Sequence, residues 1–448
     1  MPLEERTPEK IRHGLLEHTV GEAHERSPFW RARLEAAGGA PLEAFHNLPL
    51  LTKPEAAAAG EALYADGFER NLDRVVLSSG TRREGRAVLC VRRQPCEDEA
   101  VSRYLELWID GPRDAAPQRP TGSVVELWNV AHGLPSGAAS PGVFRVPWMP
   151  HVNFLELALS ALEDASREGN GRIAILRGSV SALLTVAAGA RHLGVELRHF
   201  GVSALATNSY EATSRTRRLL REAFGDVAIH DSYSLSEFTS PATECEDCGA
   251  RHFTVPPILP ELFELSGRGR LDGSPGTVGR LVLTGLAPFV QRTPLLRYDT
   301  GDLVEATGFC PAEGDEGFRP LGRASDAAIV EVDGTARPVV LPSHLYELVD
   351  GLEGVARAPH PIEQLGVLPP SGLGPPRAFA RTTGPRAVVV QVVVVEGLDA
   401  ARTAQLADTL RDGLLSVNPS LRSFVASGGE LQVQTVPSAE LPDRLFKP

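Results

Sequence analysis

Four short stretches of the 448-residue chain carry side chains able to hold a phosphorylated ligand. In Leu77-Ser78-Ser79-Gly80-Thr81, small hydroxyl residues and a glycine let backbone N–H and side-chain O–H groups approach phosphate oxygens. The basic run that follows, Arg82-Arg83-Glu84-Gly85-Arg86, reads equally well as a solvated turn. Asp231-Ser232-Tyr233-Ser234-Leu235-Ser236-Glu237 sets a ring and a carboxylate four residues apart. Tyr233 suits stacking on a purine and Glu237 suits the magnesium that accompanies nucleotide phosphates, while a capped turn with a buried tyrosine fits as well. Leu296-Arg297-Tyr298-Asp299-Thr300-Gly301-Asp302 places Asp302 after a glycine turn, where its two oxygens can accept from two ribose hydroxyls. Leu321-Gly322-Arg323-Ala324-Ser325-Asp326 offers Arg323 as a fixed cation for phosphate or ribose oxygens.

A second chemistry is written in Cys245-Glu246-Asp247-Cys248-Gly249-Ala250-Arg251-His252. Its Cys-x2-Cys spacing, a following histidine and a glycine for the tight turn suit tetrahedral zinc, with Cys310 as a fourth ligand. Closed ligation of this kind braces a loop and leaves no open position for catalysis. Free thiols in a loop, or a redox pair, are the alternatives. Cys90 and Cys96 read as packing residues, and His151 as a helix cap, a solvent-facing side chain or a wall of an acid pocket.

Charge and composition narrow the partners. The net charge of -12 supplies no general grip on nucleic acid or anionic lipid. No stretch approaches the roughly 18 apolar residues of a membrane span. The first 35 residues are too charged for a secretory leader. Five unevenly spaced cysteines argue for a reducing cytoplasm. Lys10, Lys53 and Lys447 are the only lysines, so a mechanism that needs one has few choices.

The elements that must position these residues follow from periodicity. Apolar residues between Pro8 and Ala37 predict one or two amphipathic helices, broken near Ser27-Pro28 and forming a packing appendage. Strands at 74–77, 87–91, 124–130 and 172–176 alternate with helices at 97–108, 154–167 and 180–193, which implies an α/β domain. An arginine-rich helix at 214–224 and a strand at 227–230 lead into the Tyr233 segment, at the strand end where such folds bind ligands. A β-rich part spans roughly 255–324. The proline- and glycine-rich segment 360–386 reads as a loop or linker, and 387–395, 399–415 and 430–435 as a β-α-β unit.

In their order and spacing, the four stretches resemble the adenylate-forming superfamily of acyl-CoA synthetases, peptide-synthetase adenylation domains and luciferases. The chain is most similar to the phenylacetate–coenzyme A ligase branch. Leu48-Pro49-Leu50-Leu51-Thr52-Lys53 resembles that branch's Leu-Pro-x-x-Thr-Lys element, and Leu341-Pro342-Ser343-His344-Leu345-Tyr346-Glu347 its post-hinge Phe-Pro-Ser stretch. The resemblance implies a large N-terminal α/β domain at 1–324, with a helical appendage at 1–45. A small, mobile α+β lid domain at 325–448 follows, hinged near Ser325-Asp326. It implies that Ser78, Ser79, Gly80 and Thr81 cradle phosphates, Tyr233 faces adenine, Glu237 binds Mg2+, Asp302 holds ribose and Arg323 touches ribose or phosphate. Lys447 then contacts the carboxylate and α-phosphate. Similar ligases carry Cys-Pro-Cys-Gly where this chain has Cys310-Pro311.

The implied activity is ATP-dependent conversion of a carboxylic acid, aromatic in that branch, to an acyl-adenylate. The acyl group then passes to coenzyme A or to a carrier-protein phosphopantetheine. An acyl-protein synthetase, and a catalytically reduced homologue that binds nucleotide or an acyl ligand, are the alternatives. Family habit implies a homodimer. The chain departs from the pattern at Arg82 to Arg86, at Ser234, at Ser325, and around Lys447, which lacks the usual preceding glycine.

Overall fold

The computed structural model describes residues 8–78, 88–101, 122–129, 142–149, 151–209, 211–238, 241–253, 257–332, 335–358, 363 and 372–438. The chain divides into two compact units. One comprises Met1–Thr121, Trp128–Arg145 and Ser232–Arg319; the other comprises Gly122–Leu127, Val146–Asp231 and Pro320–Pro448.

In the first unit the helices Pro8–Arg26 and Pro28–Ala37 break at Ser27, as expected. Ser27 is the cap: its side chain accepts from Trp30 N–H, and Pro28 opens the second helix with a preset φ and no N–H to leave unpaired. These helices wall the main core. Leu16, Val20, Trp30 and Leu34 pack with Phe45, Leu51, Leu283, Leu296 and Tyr298. Trp30 is wholly buried, and its ring N–H donates to the Pro294 carbonyl at 2.7 Å. Ile258–Phe263, Val278–Gly285 and Tyr298–Cys310 form an antiparallel ladder. The strand Asp315–Arg323 lies beside the last of these. The short strands Ala242–Glu244 and Arg251–His252 form a hairpin, paired to this ladder through Phe318 and Arg251.

Leu51 is stitched to this ladder: its N–H donates to the Arg297 carbonyl and its carbonyl accepts from Asp299 N–H, both at 2.9 Å. The stitch carries Thr52 and Lys53 to the Tyr298 segment. Thr52 then starts the helix Lys53–Ala59 with a capping box, its side chain and that of Glu55 bonding each other's backbone N–H.

The second unit holds the α/β layers. Ile173–Ser179, Val202–Asn208 and Ala228–Tyr233 run parallel in sequential order, joined through the helices Val180–Leu193 and Ser214–Phe224. The 180–193 helix buries Val180, Leu183, Leu184 and Val186, so it is apolar on most sides, as an element covering a parallel sheet must be. His151 caps the start of the helix Val152–Glu168, its ring accepting from Asn153 N–H.

Beyond Arg323, the hairpin Ala328–Val332 with Thr335–Val340 and the helix Pro342–Asp350 share a core with Val388, Val390, Val392, Leu410, Leu414, Leu421 and Phe424. Ala387–Val394 pairs in parallel with Glu430–Pro437 across the helix Ala400–Val417, which is the expected β-α-β unit. The stretch 360–386 is not all loop. Ala378–Gly384 is a strand paired antiparallel with Ala387–Val394, and Pro385 and Arg386 turn between them. Its proline and glycine content hid a seven-residue run whose strand character comes from that partner.

Candidate functional site

The first unit brings the Tyr233 and Asp302 stretches together. Tyr233 ends its strand, and its hydroxyl donates to Asp302 Oδ2 at 2.6 Å. Its ring stands edge-on to Phe318, with centroids 5.5 Å apart, and to Phe253 at 6.4 Å, while these two phenylalanines stack on each other at 5.4 Å. The turn carrying Asp302 is built by its neighbours. Gly301 takes φ +75, its N–H donating to Asp299 Oδ1, and Asp302 N–H donates to Thr300 Oγ1. A side chain at Gly301 would strain that left-handed turn.

Glu237 sits in the same unit, 6% exposed. Tyr298 donates its hydroxyl to Glu237 Oε1 at 2.8 Å, and Lys53 Nζ lies 3.5 Å from the same oxygen. Arg93, buried beside this segment, donates to the Ser236 carbonyl at 3.1 Å. Burial, seconded by the Arg74 cation, pushes the Arg93 guanidinium down to about 10, against the pull of Glu97, Asp98 and Glu237. It therefore stays charged at neutral pH. Lys53 and Tyr298 lie inside the Leu-Pro-x-x-Thr-Lys element and the Leu296–Asp302 stretch but are given no role there, and Arg93 lies in none of the quoted stretches.

Ser78 is buried at the mouth of the hairpin formed by Arg74–Leu77 and Cys90–Arg93. Its Oγ accepts from Leu89 N–H, and its own N–H donates to the Leu89 carbonyl, both at 2.9 Å. Ser79, Gly80 and Thr81 lie outside the described residues, as does Lys447. Arg323 ends its strand half-buried, just before the 3-10 turn Ala324–Asp326, where Ser325 Oγ bonds Asp326. Gly322 beside it takes φ +96, and a Cβ there would stand 2.6 Å from Pro342 Cβ. The Leu-Gly-Arg and Leu-Pro-Ser motifs are thus in contact, and the glycine is the condition for it.

Cys245, Cys248, His252 and Cys310 converge, with one ligand atom from each lying within 4.8 Å of all the others. Cys245 Sγ is 3.9 Å from Cys310 Sγ, and Cys248 Sγ is 3.1 Å from His252 Nε2. A tetrahedral zinc site asks for about 3.8 Å between sulfurs and about 3.5 Å between sulfur and nitrogen. Cys245 and Cys248 lie in the turn between Ala242–Glu244 and Arg251–His252, and His252 ends the second of these strands; the turn closes through Cys245 N–H to Ala250 O and Gly249 N–H to Cys245 O, both at 2.8 Å. The fourth ends the strand Tyr298–Cys310. Burial lowers the His252 imidazole below its ordinary value, keeping it a neutral ligand, and raises the Cys245 thiol to about 11. Gly317 makes room for the ring, since a Cβ there would fall 2.5 Å from His252 Cε1. All five cysteines are free thiols, and Cys96 is exposed rather than a packing residue because the helix opened by Pro95 points it outward.

No protein-family model and no curated protein matches the sequence. Solved structures do match. An open conformation of 2-hydroxyisobutyryl-CoA ligase in complex with 2-HIB-AMP and CoA aligns with 100% of this chain and 91% of its own, at TM-score 0.64 and 18% identity. The same ligase in the postadenylation state with 2-HIB-AMP gives TM-score 0.62 and 19% identity over 100% and 89% of the two chains. The acyl acid amido synthetase AtGH3.15, in complex with 2,4-DB, gives TM-score 0.51 and 15% identity over 96% and 87%. At these identities the likeness is one of fold. The chain has the mixed α/β architecture of the adenylate-forming ligases, as the motif order implied. Among the described residues no helix is long and apolar enough to cross a membrane.

Proposed function

We propose that this chain uses ATP to convert a carboxylic acid, aromatic by its branch resemblance, into an acyl-adenylate and passes the acyl group to the thiol of coenzyme A or of a carrier protein. The observation that carries the reading is the convergence, in one unit, of Tyr233 with Asp302 and of Glu237 with Lys53 and Tyr298. The Asp231–Glu237 and Leu296–Asp302 stretches supply an aromatic face, a carboxylate for a sugar diol and a carboxylate for a divalent ion, and Lys53 from a third stretch adds a cation. The fold shared with ligases whose structures hold acyl-AMP compounds supports it.

In this reading Tyr233 offers its ring to adenine. Asp302, oriented by the Tyr233 hydroxyl, accepts from ribose hydroxyls. Glu237 is a hard oxygen ligand suited to Mg2+, and that ion supplies charge neutralisation at the phosphates when bound. Lys53 balances Glu237 in the structure. Alignment of the acid carboxylate with the α-phosphorus, and stabilisation of charge on the five-coordinate phosphorus, supply the rate. Pyrophosphate leaves. Arg323, at the end of the 1–324 domain, and Lys447, in a lid at 325–448 whose residues share a core of their own, take the roles that the resemblance implies. Cys245, Cys248, His252 and Cys310 hold a structural Zn2+, a donor set that closes the coordination sphere.

The acceptor is the open half of the proposal, since AtGH3.15 shares the fold and is an amido synthetase. ATP–pyrophosphate exchange across aryl, arylacetic and short hydroxy acids tests the first half. Exchange with at least one acid is expected. Nucleotide binding without exchange for any acid would replace this reading with that of a non-catalytic homologue.

A further inference from the structure

The Cys-His cluster and the Tyr233–Asp302 pair are one aromatic layer apart. His252 is wholly buried, and the next residue, Phe253, stacks its ring on Phe318. Both rings present themselves to the Tyr233 ring, whose hydroxyl reaches Asp302. Phe318 stands on the strand that follows Cys310, one residue after the glycine that makes room for the His252 ring. An ion at the cluster would join the turn that leads to Phe253 to the end of the strand that carries Asp302. Of the Tyr233 ring's partners, Phe253 directly follows His252 in the chain, and Phe318 stands on the strand that comes after Cys310.

From this geometry we infer that the metal at Cys245, Cys248, His252 and Cys310 positions the Phe253–Phe318 wall of the nucleotide cradle, so that metal and ATP binding are thermodynamically coupled. The inference rests on the zinc and nucleotide readings proposed above. Without the ion, three thiols and an imidazole exchange four strong bonds for weak contacts, and the turn holding Phe253 loses its tie to Cys310. Tyr233 then loses a fixed partner on one flank, and its hydroxyl no longer points at Asp302 in a single orientation. A second tie limits the effect: Arg12 is ion-paired with Asp315 at 2.7 Å and also donates to the Phe253 carbonyl. The expected coupling is therefore on the order of tenfold, at the lower end of the usual 5- to 150-fold range. Linkage makes it reciprocal, so ATP must tighten the ion by the same factor.

The test uses the full chain. Zinc content is measured by atomic emission, and the ATP dissociation constant by calorimetry on zinc-loaded protein, on chelator-stripped protein and after zinc is restored. One zinc per chain, about tenfold weaker ATP binding after stripping, and recovery on readdition are expected. Zinc affinity is then measured in the loaded, folded protein by competition with a chromophoric chelator, with and without saturating ATP. That second measurement survives even if stripping unfolds the chain, and about tenfold tighter zinc with ATP is expected. Equal zinc affinities with and without ATP overturn the coupling. Absence of stoichiometric zinc overturns it through the metal reading, and absence of ATP binding to zinc-loaded protein overturns it through the nucleotide reading. These three failures have different signatures.

Discussion

Replacing Tyr298 with phenylalanine removes one oxygen from the core and nothing else of comparable size. That hydroxyl is the donor at 2.8 Å to Glu237 Oε1, with Tyr298 2% exposed and Glu237 6% exposed. The ring's packing survives, including its edge contact with Phe238 at 6.0 Å. The change is therefore close to a pure deletion of a buried hydrogen bond to a carboxylate, worth about 1.5–3 kcal/mol. Lys53 recovers part of the loss, but it sits 3.5 Å away and is 18% exposed, so solvent screens it and it returns about 1 kcal/mol at most. A net loss of about 2 kcal/mol, roughly 30-fold in the folding equilibrium, is expected. Urea unfolding followed by tryptophan fluorescence reads it, because Trp30 lies in the same core. A double-mutant cycle with Glu237→Gln should return a coupling of about 0.5–3 kcal/mol. If Tyr298→Phe stays within about 0.5 kcal/mol of wild type, or the cycle is additive, the Tyr298–Glu237 bond does not hold that carboxylate and its role as a positioning residue is lost.

Three further outcomes follow from buried geometry. Asp73 is paired with Arg292 at 3.0 Å, both side chains under 5% exposed; burial alone raises its carboxyl, but bonds from Arg292, Gln94 and Arg92 bring it below its ordinary value. Its stabilisation is complete above the unfolded value of about 3.9 and is lost as pH falls through the lower folded value, so Asp73→Ala should cost about 3–5 kcal/mol at pH 7 and flatten the acid limb of a stability–pH curve. Gly322→Ala meets Pro342 at 2.6 Å and an unfavourable φ of +96, and should lower the melting temperature measurably, whereas Ala324→Gly next to it should not. Gly317→Ala forces His252 off its position, and atomic emission should find zinc reduced while far-UV circular dichroism stays close to wild type.

Much of this protein is legible in stretches of a few residues. Ser27-Pro28 marks a helix boundary because a side-chain acceptor and a preset φ act on the next three residues. The 387–437 β-α-β unit follows from apolar periodicity within each element. The spacing of Cys245, Cys248 and His252 is a local turn, and Cys310 joins them on the resemblance of Cys310-Pro311 to the Cys-Pro-Cys-Gly segment of similar ligases. The order of the nucleotide-like stretches likewise carries the resemblance that implies the adenylate-forming architecture. Other features have no local code. That Leu51 bridges to Tyr298 and so sets Lys53 against Glu237, that Arg93 lies beneath Ser236, and that Tyr233 spends its hydroxyl on Asp302 all join residues far apart in the chain. The strand at Ala378–Gly384 exists because Ala387–Val394 pairs with it, against the reading of its own composition. Dihedral preference, capping and periodicity act over a turn or two and can be read along the chain. Ion pairs, ring contacts and ladder partners depend on which distant surfaces the packed core presses together, and only the folded chain shows them.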